Sequence, residues 1–225
     1  MIVTGMHISF QEKLVSAVIL CALSACGTST PDERTVSDQP IANLSTSSAA
    51  SLFVRVADGE VLSAPEVQTW DDALSPIATT LFANRPVTPW SSVPDAGSAD
   101  YEYVGGVELV PNGDDSNRIF GTMSATTNFS TTAITGTAQN FFSGTEALQA
   151  GQLNFSGTFF RDNDLANEFG ISGAFTGTLD GPIIDGPVNI NVAGDFADSA
   201  TVIYGGGTGT AGAGDATASF VLTRD

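Results

Sequence analysis

The amino-acid sequence predicts an all-β protein: a single soluble eight-stranded antiparallel β-barrel with a small irregular N-terminal cap. Three observations predict this fold. After residue 97, apolar residues alternate with Ser, Thr, Asn and Asp through eight short segments. Glycine recurs on the apolar side of nearly every segment. The joints between segments carry Asn, Asp, Gly and Pro, which favour turns.

The predicted strands share one composition. In QLNFSGTFF, Leu153, Phe155 and Phe159 fall on one side of an extended chain and polar residues fall on the other, as in a half-buried strand. A short motif, Ile or Phe followed by Ser or Thr, Gly and Thr, recurs at uneven spacing, which is typical of barrel strands rather than of a solenoid. The segments are YEYVGGVELV, RIFGTMSATTNF, AITGTAQNF, QLNFSGTFF, FGISGAFTGTL, PVNINVAGDF, TVIYGGG and ATASFVL.

The recurring glycines favour a barrel over a sandwich. Glycine in a flat sheet weakens packing, whereas in a tightly coiled sheet it lets strands bend and leaves room for Phe from opposite strands. Eight strands close around an interior just wide enough for side chains, and closure removes edge strands. The positions that carry this argument are Gly105, Gly121, Gly136, Gly157, Gly173, Gly194 and Gly205.

Alternation alone leaves the direction of the apolar face open. A water-soluble barrel points this face inward, and an integral outer-membrane barrel points it toward lipid. The face here is rich in Gly and Phe and has no continuous aliphatic belt, and the printed chain ends Leu222-Thr-Arg-Asp225 without a terminal aromatic residue. Both features favour the soluble form. An integral eight-stranded outer-membrane barrel is the alternative.

The first residues predict an export signal. Leu14 to Ala22 is an apolar run of nine residues, which as a helix rises only about 14 Å, against a bilayer core of about 30 Å. Leu23-Ser24-Ala25-Cys26 follows and resembles a bacterial lipobox, in which the cysteine is lipidated after cleavage. We therefore expect residues 1–25 to be a signal peptide that takes Cys21 with it, and Cys26 to carry lipid. An ordinary secretory signal is the alternative.

The remaining chain divides into three parts. Residues 26–51 contain the acylated cysteine and a flexible tether rich in Ser, Thr, Pro and Asp. Residues 52–93 form the N-terminal cap, and residues 94–225 form the barrel.

The cap has a weaker pattern than the barrel. LFVRV (residues 52–56) is compatible with a strand, and residues 67–83 with a short helix interrupted by Pro76. Trp70 and Trp90 are expected to cover one end of the barrel. The alternative is that the two tryptophans form an aromatic ligand-contact patch with Tyr101 and Tyr103.

The predicted mature chain lacks the side chains of many active sites. His7 and Lys13 are the single histidine and lysine, and both precede Cys26. Serine and cysteine triads, Schiff-base lysines, haem held by His and zinc sites with nitrogen or sulfur ligands are therefore excluded. No pair of carboxylates lies in a recognisable glycosidase context. We expect no enzymatic activity, no catalytic residues and no cofactor.

Acidic residues dominate the charge. Without residues 1–25, the chain keeps 24 Asp and Glu and six Arg, so the net charge stays at −18. Such a surface repels nucleic acid, which we exclude as a partner, and it keeps the protein hydrated.

Two acidic loops contain oxygen ligands suited to calcium. Asp114 and Asp115 lie in one predicted turn, and Asp162 and Asp164 lie in another. Neither loop has EF-hand spacing, and acidic turns are common without an ion, so we predict no metal site. The glycine-rich stretch 205–214 lacks the Lys of a phosphate-binding loop and is interpreted as a strand and a loop.

The barrel segments resemble the transferrin-binding-protein-like β-barrel domain of bacterial surface lipoproteins. The resemblance rests on these stretches: Pro94-Asp-Ala-Gly97-Ser-Ala99-Asp-Tyr101-Glu-Tyr-Val-Gly105; Thr127-Asn-Phe129 with Ile134-Thr-Gly-Thr137; Gly194-Asp-Phe196 with Ala200 and Tyr204-Gly205; and Ala218-Ser-Phe220. Ala197 stands where the family has Tyr-Gly-Pro.

The resemblance implies a location more strongly than a ligand. Proteins of this family are anchored by lipid in the outer membrane, reach the cell surface, and capture iron or haem proteins for a partner outer-membrane transporter. We accordingly expect a binding scaffold anchored in the bacterial cell envelope, for a protein ligand or another solute. A structural lipoprotein without a small ligand is the alternative.

Overall fold

The computed structural model describes residues 51–52, 55, 60, 62–84, 87–102, 104–143, 148–160 and 170–224. Its principal elements are one long helix and nine strands. They are α1 (Ala64–Asn84), β1 (Ser98–Tyr101), β2 (Val104–Pro111), β3 (Ile119–Asn128), β4 (Ala133–Ser143), β5 (Leu148–Phe159), β6 (Ile171–Asp180), β7 (Asp185–Ala197), β8 (Val202–Ala211) and β9 (Gly214–Thr223).

The strands form the predicted closed barrel. Strands β2 to β9 each pair antiparallel with their neighbours in sequence, and β9 pairs back onto β2, from Val104 opposite Thr223 to Pro111 opposite Ala216. Strand β1 continues the line of β2 along the same partner, β3, so the first barrel strand is interrupted near Glu102. The prediction of eight barrel strands is confirmed.

The apolar face points inward. Phe155, Phe175 and Phe220 meet inside the barrel with ring centroids 5.1–5.7 Å apart. The residues that alternate with the inward ones on strands β5, β6 and β9 are mostly Ser, Thr and Asn and face outward. This is the orientation expected of a barrel surrounded by water. Among the described residues, no helix has the length and apolar composition needed to cross a bilayer.

Glycine makes room for the interior aromatic rings, as predicted, but the rings come from neighbouring strands rather than opposite ones. A Cβ on Gly205 would lie 2.8 Å from Cε1 of Phe220, its directly paired residue on β9. A Cβ on Gly173 would lie 2.8 Å from Cζ of Phe155 on β5. Both distances are too short for carbon atoms, so a larger residue would displace the ring.

Strand β4 contains a bulge that the alternation does not reveal. Its register with β3 shifts between Phe120 and Thr122, and Asn140 adopts φ 57°. The Asn140 Nδ2 donates to Thr122 Oγ1 at 3.0 Å, which holds the bulge. The extra residues explain why AITGTAQNF alternates less cleanly than other segments.

Most of the described part of the N-terminal cap is one long helix, which contains the helix predicted for residues 67–83. Helix α1 has 21 residues and is continuous through Pro76. Pro76 lies on the exposed side, where the carbonyl group left without an amide donor can bind water.

Ser63 precedes the helix, and Glu66 accepts a hydrogen bond from the Ser63 amide at 2.8 Å, which is one half of a capping box. The Ser63 hydroxyl also donates to Glu66, at 2.7 Å, and the Glu66 amide donates to the Ser63 carbonyl at 3.0 Å. Leu52 and Arg55 of the LFVRV segment are also helical, which contradicts the predicted strand.

Helix α1 packs against the outside of the barrel wall. Its buried residues recur at helical spacing, and the Trp70 Nε1 donates to the Gly105 carbonyl at 2.7 Å. Trp70 therefore lies on the side of the barrel. This contradicts the prediction that it covers an end. The buried set comprises Val67, Trp70, Leu74, Ile77 and Leu81 of α1, Leu52 and Leu62 before it, and Val104, Phe120, Phe142, Ala197, Val202, Tyr204 and Val221 of the wall.

Candidate functional site

One end of the barrel is covered by the segment that precedes β1. We call it the capped end: residues 87–97, the β3–β4 turn, the β7–β8 turn and residue 160. Trp90 stacks on Phe159 with centroids 6.1 Å apart and meets Phe196 edge-on at 6.4 Å. Trp90 therefore lies over a barrel end, as predicted.

The β7–β8 turn at this end has an unusual backbone. Three consecutive non-glycine residues are left-handed: Asp198 at φ 49°, Ser199 at φ 54° and Ala200 at φ 62°. The left-handed region is unfavourable for L-residues by about 1–2 kcal/mol each. Strain of this kind persists only where surrounding contacts enforce it, and it concentrates at functional sites.

Buried hydrogen bonds hold this turn in place. The Ala200 amide donates to Thr88 Oγ1 at 3.1 Å, and the Thr88 amide donates to the Phe196 carbonyl at 2.7 Å. On the other side, Tyr101 Oη donates to the Ala200 carbonyl at 2.6 Å. The covering segment, β1 and the turn are therefore locked together.

Tyr101 serves as a structural anchor at this end. It is fully buried, and burial raises the pKa of its hydroxyl well above the ordinary value. The Arg224 guanidinium carbon lies 5.7 Å from the centre of the Tyr101 ring, within the range of a cation–π contact. The proton on Tyr101 is thus retained at any physiological pH and is fully available to Ala200.

The buried carboxylate of Asp195 holds Gly170, the residue before β6. Asp195 is 4% exposed, and its Oδ1 accepts a hydrogen bond from the Gly170 amide at 2.8 Å. Gly170 lies beside Trp90, where a Cβ would come within 2.7 Å of the indole ring. Phe160 follows β5 at this end and is 40% exposed, the one large apolar side chain in the described residues with such exposure.

A second polar cluster lies where α1 meets the wall. Arg118 Nη1 donates to Glu108 Oε1 at 3.1 Å. Desolvation raises the pKa of Glu108, and the nearby Asp71 raises it further, while Arg118 opposes both. Burial likewise raises the pKa of Asp71 on α1. Arg118 is thus paired with Glu108, and its charge also partly offsets the effect of burial on the pKa of Asp71.

Of the four acidic residues considered as calcium ligands, the two that the structure describes have a local role. Both carboxylate oxygens of Asp114 accept hydrogen bonds inside its own turn, from Ser116 at 2.6 and 3.0 Å and from Asn117 at 2.9 Å. These bonds lower the pKa of Asp114. Asp115 starts the following 3₁₀ turn. Within the described ranges, no group of three His, Cys, Asp or Glu is placed to hold a metal.

Several predicted residues lie outside the described ones: the lipidation site Cys26, the acidic pair Asp162 and Asp164, and Tyr103. Tyr101 and Trp70 are buried in packing and do not form a contact patch. The stretch 205–214 is strand β8 with its hairpin into β9, as interpreted from its composition.

The barrel interior is filled by its own side chains. The core packed inside includes eight aromatic residues that are at most 2% exposed: Tyr101, Phe129, Phe141, Phe155, Phe159, Phe175, Phe196 and Phe220. A ligand would accordingly bind on the outside of the barrel or at the capped end.

The chain was compared with protein families, curated proteins and solved structures. No protein-family model and no curated protein matches the chain. Among solved structures, a mutant of the vaccine antigen transferrin binding protein B from Haemophilus parasuis matches with 15% sequence identity and a TM-score of 0.37, over 61% of this chain and 28% of that one. The match spans little more than a quarter of that protein.

Proposed function

We propose that this chain is a lipid-anchored protein of the bacterial outer membrane, displayed at the cell surface, whose barrel is a non-enzymatic binding scaffold. The observation that supports a binding role is the capped end, where Phe160, the one large exposed apolar side chain of the described residues, stands beside a framework held by buried hydrogen bonds. The filled interior leaves only the outer surface and this end for contact with a ligand. The lipobox-like Leu23 to Cys26 supports the anchor.

The capped end is the contact region in this proposal. It combines a rigid framework, in which Thr88, Tyr101 and Ala200 are linked by hydrogen bonds, with the exposed ring of Phe160. Rigid support with an exposed aromatic group is typical of the centres of protein–protein interfaces. A protein ligand fits this region better than a small molecule.

Lipidation is tested by exchanging each cysteine. We expect Cys26→Ser to abolish incorporation of a labelled fatty acid and to release the protein from the membrane fraction. The matched control is Cys21→Ser, which removes the other thiol and should leave lipidation intact. Equal incorporation in both variants would exclude the anchor at Cys26.

Ligand capture is tested with the full-length protein on intact cells. Protease shaving shows whether the barrel is accessible from outside. Purified iron-carrying serum proteins and haem proteins are the first probes, since the family resemblance implies that class. We expect Phe160→Ala to weaken capture about tenfold, the effect of losing a buried interface aromatic.

The control for this experiment is Asp115→Ala, at the opposite end of the barrel, which should not change capture. Surface display without capture of any probe would favour the alternative, a structural outer-membrane lipoprotein. Exposure only after the outer membrane is opened would place the barrel in the periplasm.

A further inference from the structure

One side of the barrel wall is free of charge although the chain has a net charge of −18. Strands β4, β5 and β8 contain no Asp, Glu, Lys or Arg. Strand β6 has only its last residue, Asp180, and β7 has only its first residue, Asp185, and the buried Asp195. The other charges of the described chain lie on α1 and the residues before it, on β1, β2 and β9, and in the segments that connect or follow the strands.

The outward side chains on these five strands form rows across the sheet. Paired positions place three rows of five residues side by side, and we call them the uncharged wall. The rows are Thr137, Asn154, Thr176, Asn189 and Thr210; Thr135, Ser156, Ala174, Asn191 and Thr208; and Ala133, Thr158, Ser172, Ala193 and Gly206.

Polar groups on this wall are available to a ligand. Asn154 accepts a hydrogen bond from Gln152 at 3.2 Å. Otherwise, the hydroxyl and amide groups of the three rows make no hydrogen bond to the part of the protein that the structure describes. Most of these side chains are exposed. Each stands on a strand paired on both sides, so the backbone that presents these groups is fixed before a ligand arrives.

We propose that the uncharged wall binds a neutral polysaccharide. Hydroxyl and carboxamide groups donate and accept hydrogen bonds, as sugar hydroxyls do. Neighbouring groups in a row lie about 4.8 Å apart, the spacing between strands, which is close to the length of one sugar ring. A polysaccharide chain can therefore follow a row from strand to strand.

The charge distribution selects a neutral ligand. A cationic ligand is attracted to the acidic faces instead, and a polyanion is repelled by the protein as a whole. The wall is convex, so a flexible chain can follow it more closely than a rigid surface can.

A second copy of this chain fits the wall poorly. The three rows over five strands cover roughly 500 Å², from the spacing of strands and residues. A stable dimer buries about 800 Å² on each partner. Two convex walls would bury less than the wall area, and the remaining charges of two copies repel each other.

The test is affinity electrophoresis of the full-length protein, free of sugar-based detergents, in native gels that contain dextran or a neutral β-glucan. We expect at least one neutral polymer to retard the protein, and polygalacturonate, a polyanion, not to. The wall variant combines Thr135→Val, Thr176→Val and Thr208→Val, which removes three hydroxyls at constant shape and charge. Loss of three hydrogen bonds of about 0.5 kcal/mol each should weaken retardation about tenfold.

The matched control combines Thr69→Val, Thr79→Val and Thr80→Val on α1, and it should bind like the wild type. The proposal is overturned if no neutral polymer retards the protein, if both triple variants bind equally, or if polygalacturonate binds as well. It is also overturned if sedimentation shows that the wall variant abolishes a dimer instead. Circular dichroism confirms that both variants fold. None of these residues lies at the capped end, so this result and the ligand-capture result are independent.

Discussion

Two buried threonines on β3 show how hydrogen bonding decides the contribution of a single residue. Thr122 and Thr127 are both fully buried. The Thr122 hydroxyl donates to the Gln139 carbonyl at 3.2 Å and accepts from Asn140. The Thr127 hydroxyl has no partner in the described structure. A buried hydroxyl without a partner lowers stability, whereas a satisfied one raises it.

The valine variants of these residues should have opposite effects. We expect Thr127→Val to stabilise the fold by about 1 kcal/mol, because it replaces an unpaired hydroxyl with a methyl group of similar size. Thr122→Val should destabilise it by about 1–3 kcal/mol, because Asn140 then loses its acceptor. Urea unfolding measures both values. Destabilisation by Thr127→Val would indicate that its hydroxyl has a partner after all.

The left-handed turn gives a second prediction for a single residue. Ser199 is exposed at φ 54°, so Ser199→Gly should relieve backbone strain and raise stability by about 0.5–1 kcal/mol. Ser172→Gly, at an exposed strand position, is the matched control and should lower stability by a similar amount. If the two substitutions shift the unfolding midpoint in the same direction, the strain at Ser199 is not significant.

At the scale of an element, the ionisable groups of α1 should respond to pH in opposite ways. Hydrogen bonds from Arg55 and then from Ser63 lower the pKa of Glu66 from 4.5 to about 2. Its contribution to stability is therefore present above about pH 4.5 and is lost as pH falls toward 2. Burial raises the pKa of Asp71. Stability therefore falls as pH rises from the ordinary pKa of an Asp through the raised pKa of Asp71.

Glu66→Gln and Asp71→Asn test this difference. We expect Glu66→Gln to lower the melting temperature at neutral pH and to match the wild type near pH 2. Asp71→Asn should raise the melting temperature at neutral pH and lose that advantage in acid. Melting curves from pH 2 to pH 8 give the comparison. An effect of constant size across this range would rule out titration as its cause.

Sequence patterns predicted strands more completely than they predicted what covers them. Alternation located the barrel strands, because one side of each faces the core. Adjacent apolar pairs break this pattern at Ile119-Phe120, Phe141-Phe142 and Val221-Leu222, and the outward member of each lies under α1. These pairs, together with the capping box at Ser63 and Glu66, were a signal for a helix on the outer wall.

At the scale of the whole molecule, charge is the dominant property. With a net charge of −18, the acidic side chains repel one another in the compact folded state and lower its stability. We expect NaCl, raised from about 0.05 to about 0.5 M, to increase the urea midpoint, because it screens this repulsion. The combined variant Asp72→Asn, Asp180→Asn and Asp215→Asn should show a smaller increase. A midpoint that stays level or falls with salt would contradict this expectation.

Closure of the barrel could be predicted from the number of strands and the distribution of glycine, but the capped end could not. Nothing in the residues Asp198, Ser199 and Ala200 indicates a left-handed backbone, since none is glycine and the conformation depends on Thr88 and Tyr101, which are distant in sequence. The position of Trp70 could not be predicted either, because it depends on a contact with Gly105, which is distant in sequence.

The position of α1 has a mechanical consequence. Because α1 lies between the N-terminal residues and the first strand, tension that arrives along the chain from that side is borne first by the helix. Peeling α1 away would bare Val104, Tyr204 and Val221 while the ring of strands stayed hydrogen-bonded. Under a steady pull, we therefore expect the molecule to yield in two steps, with the helix detaching before the ring opens.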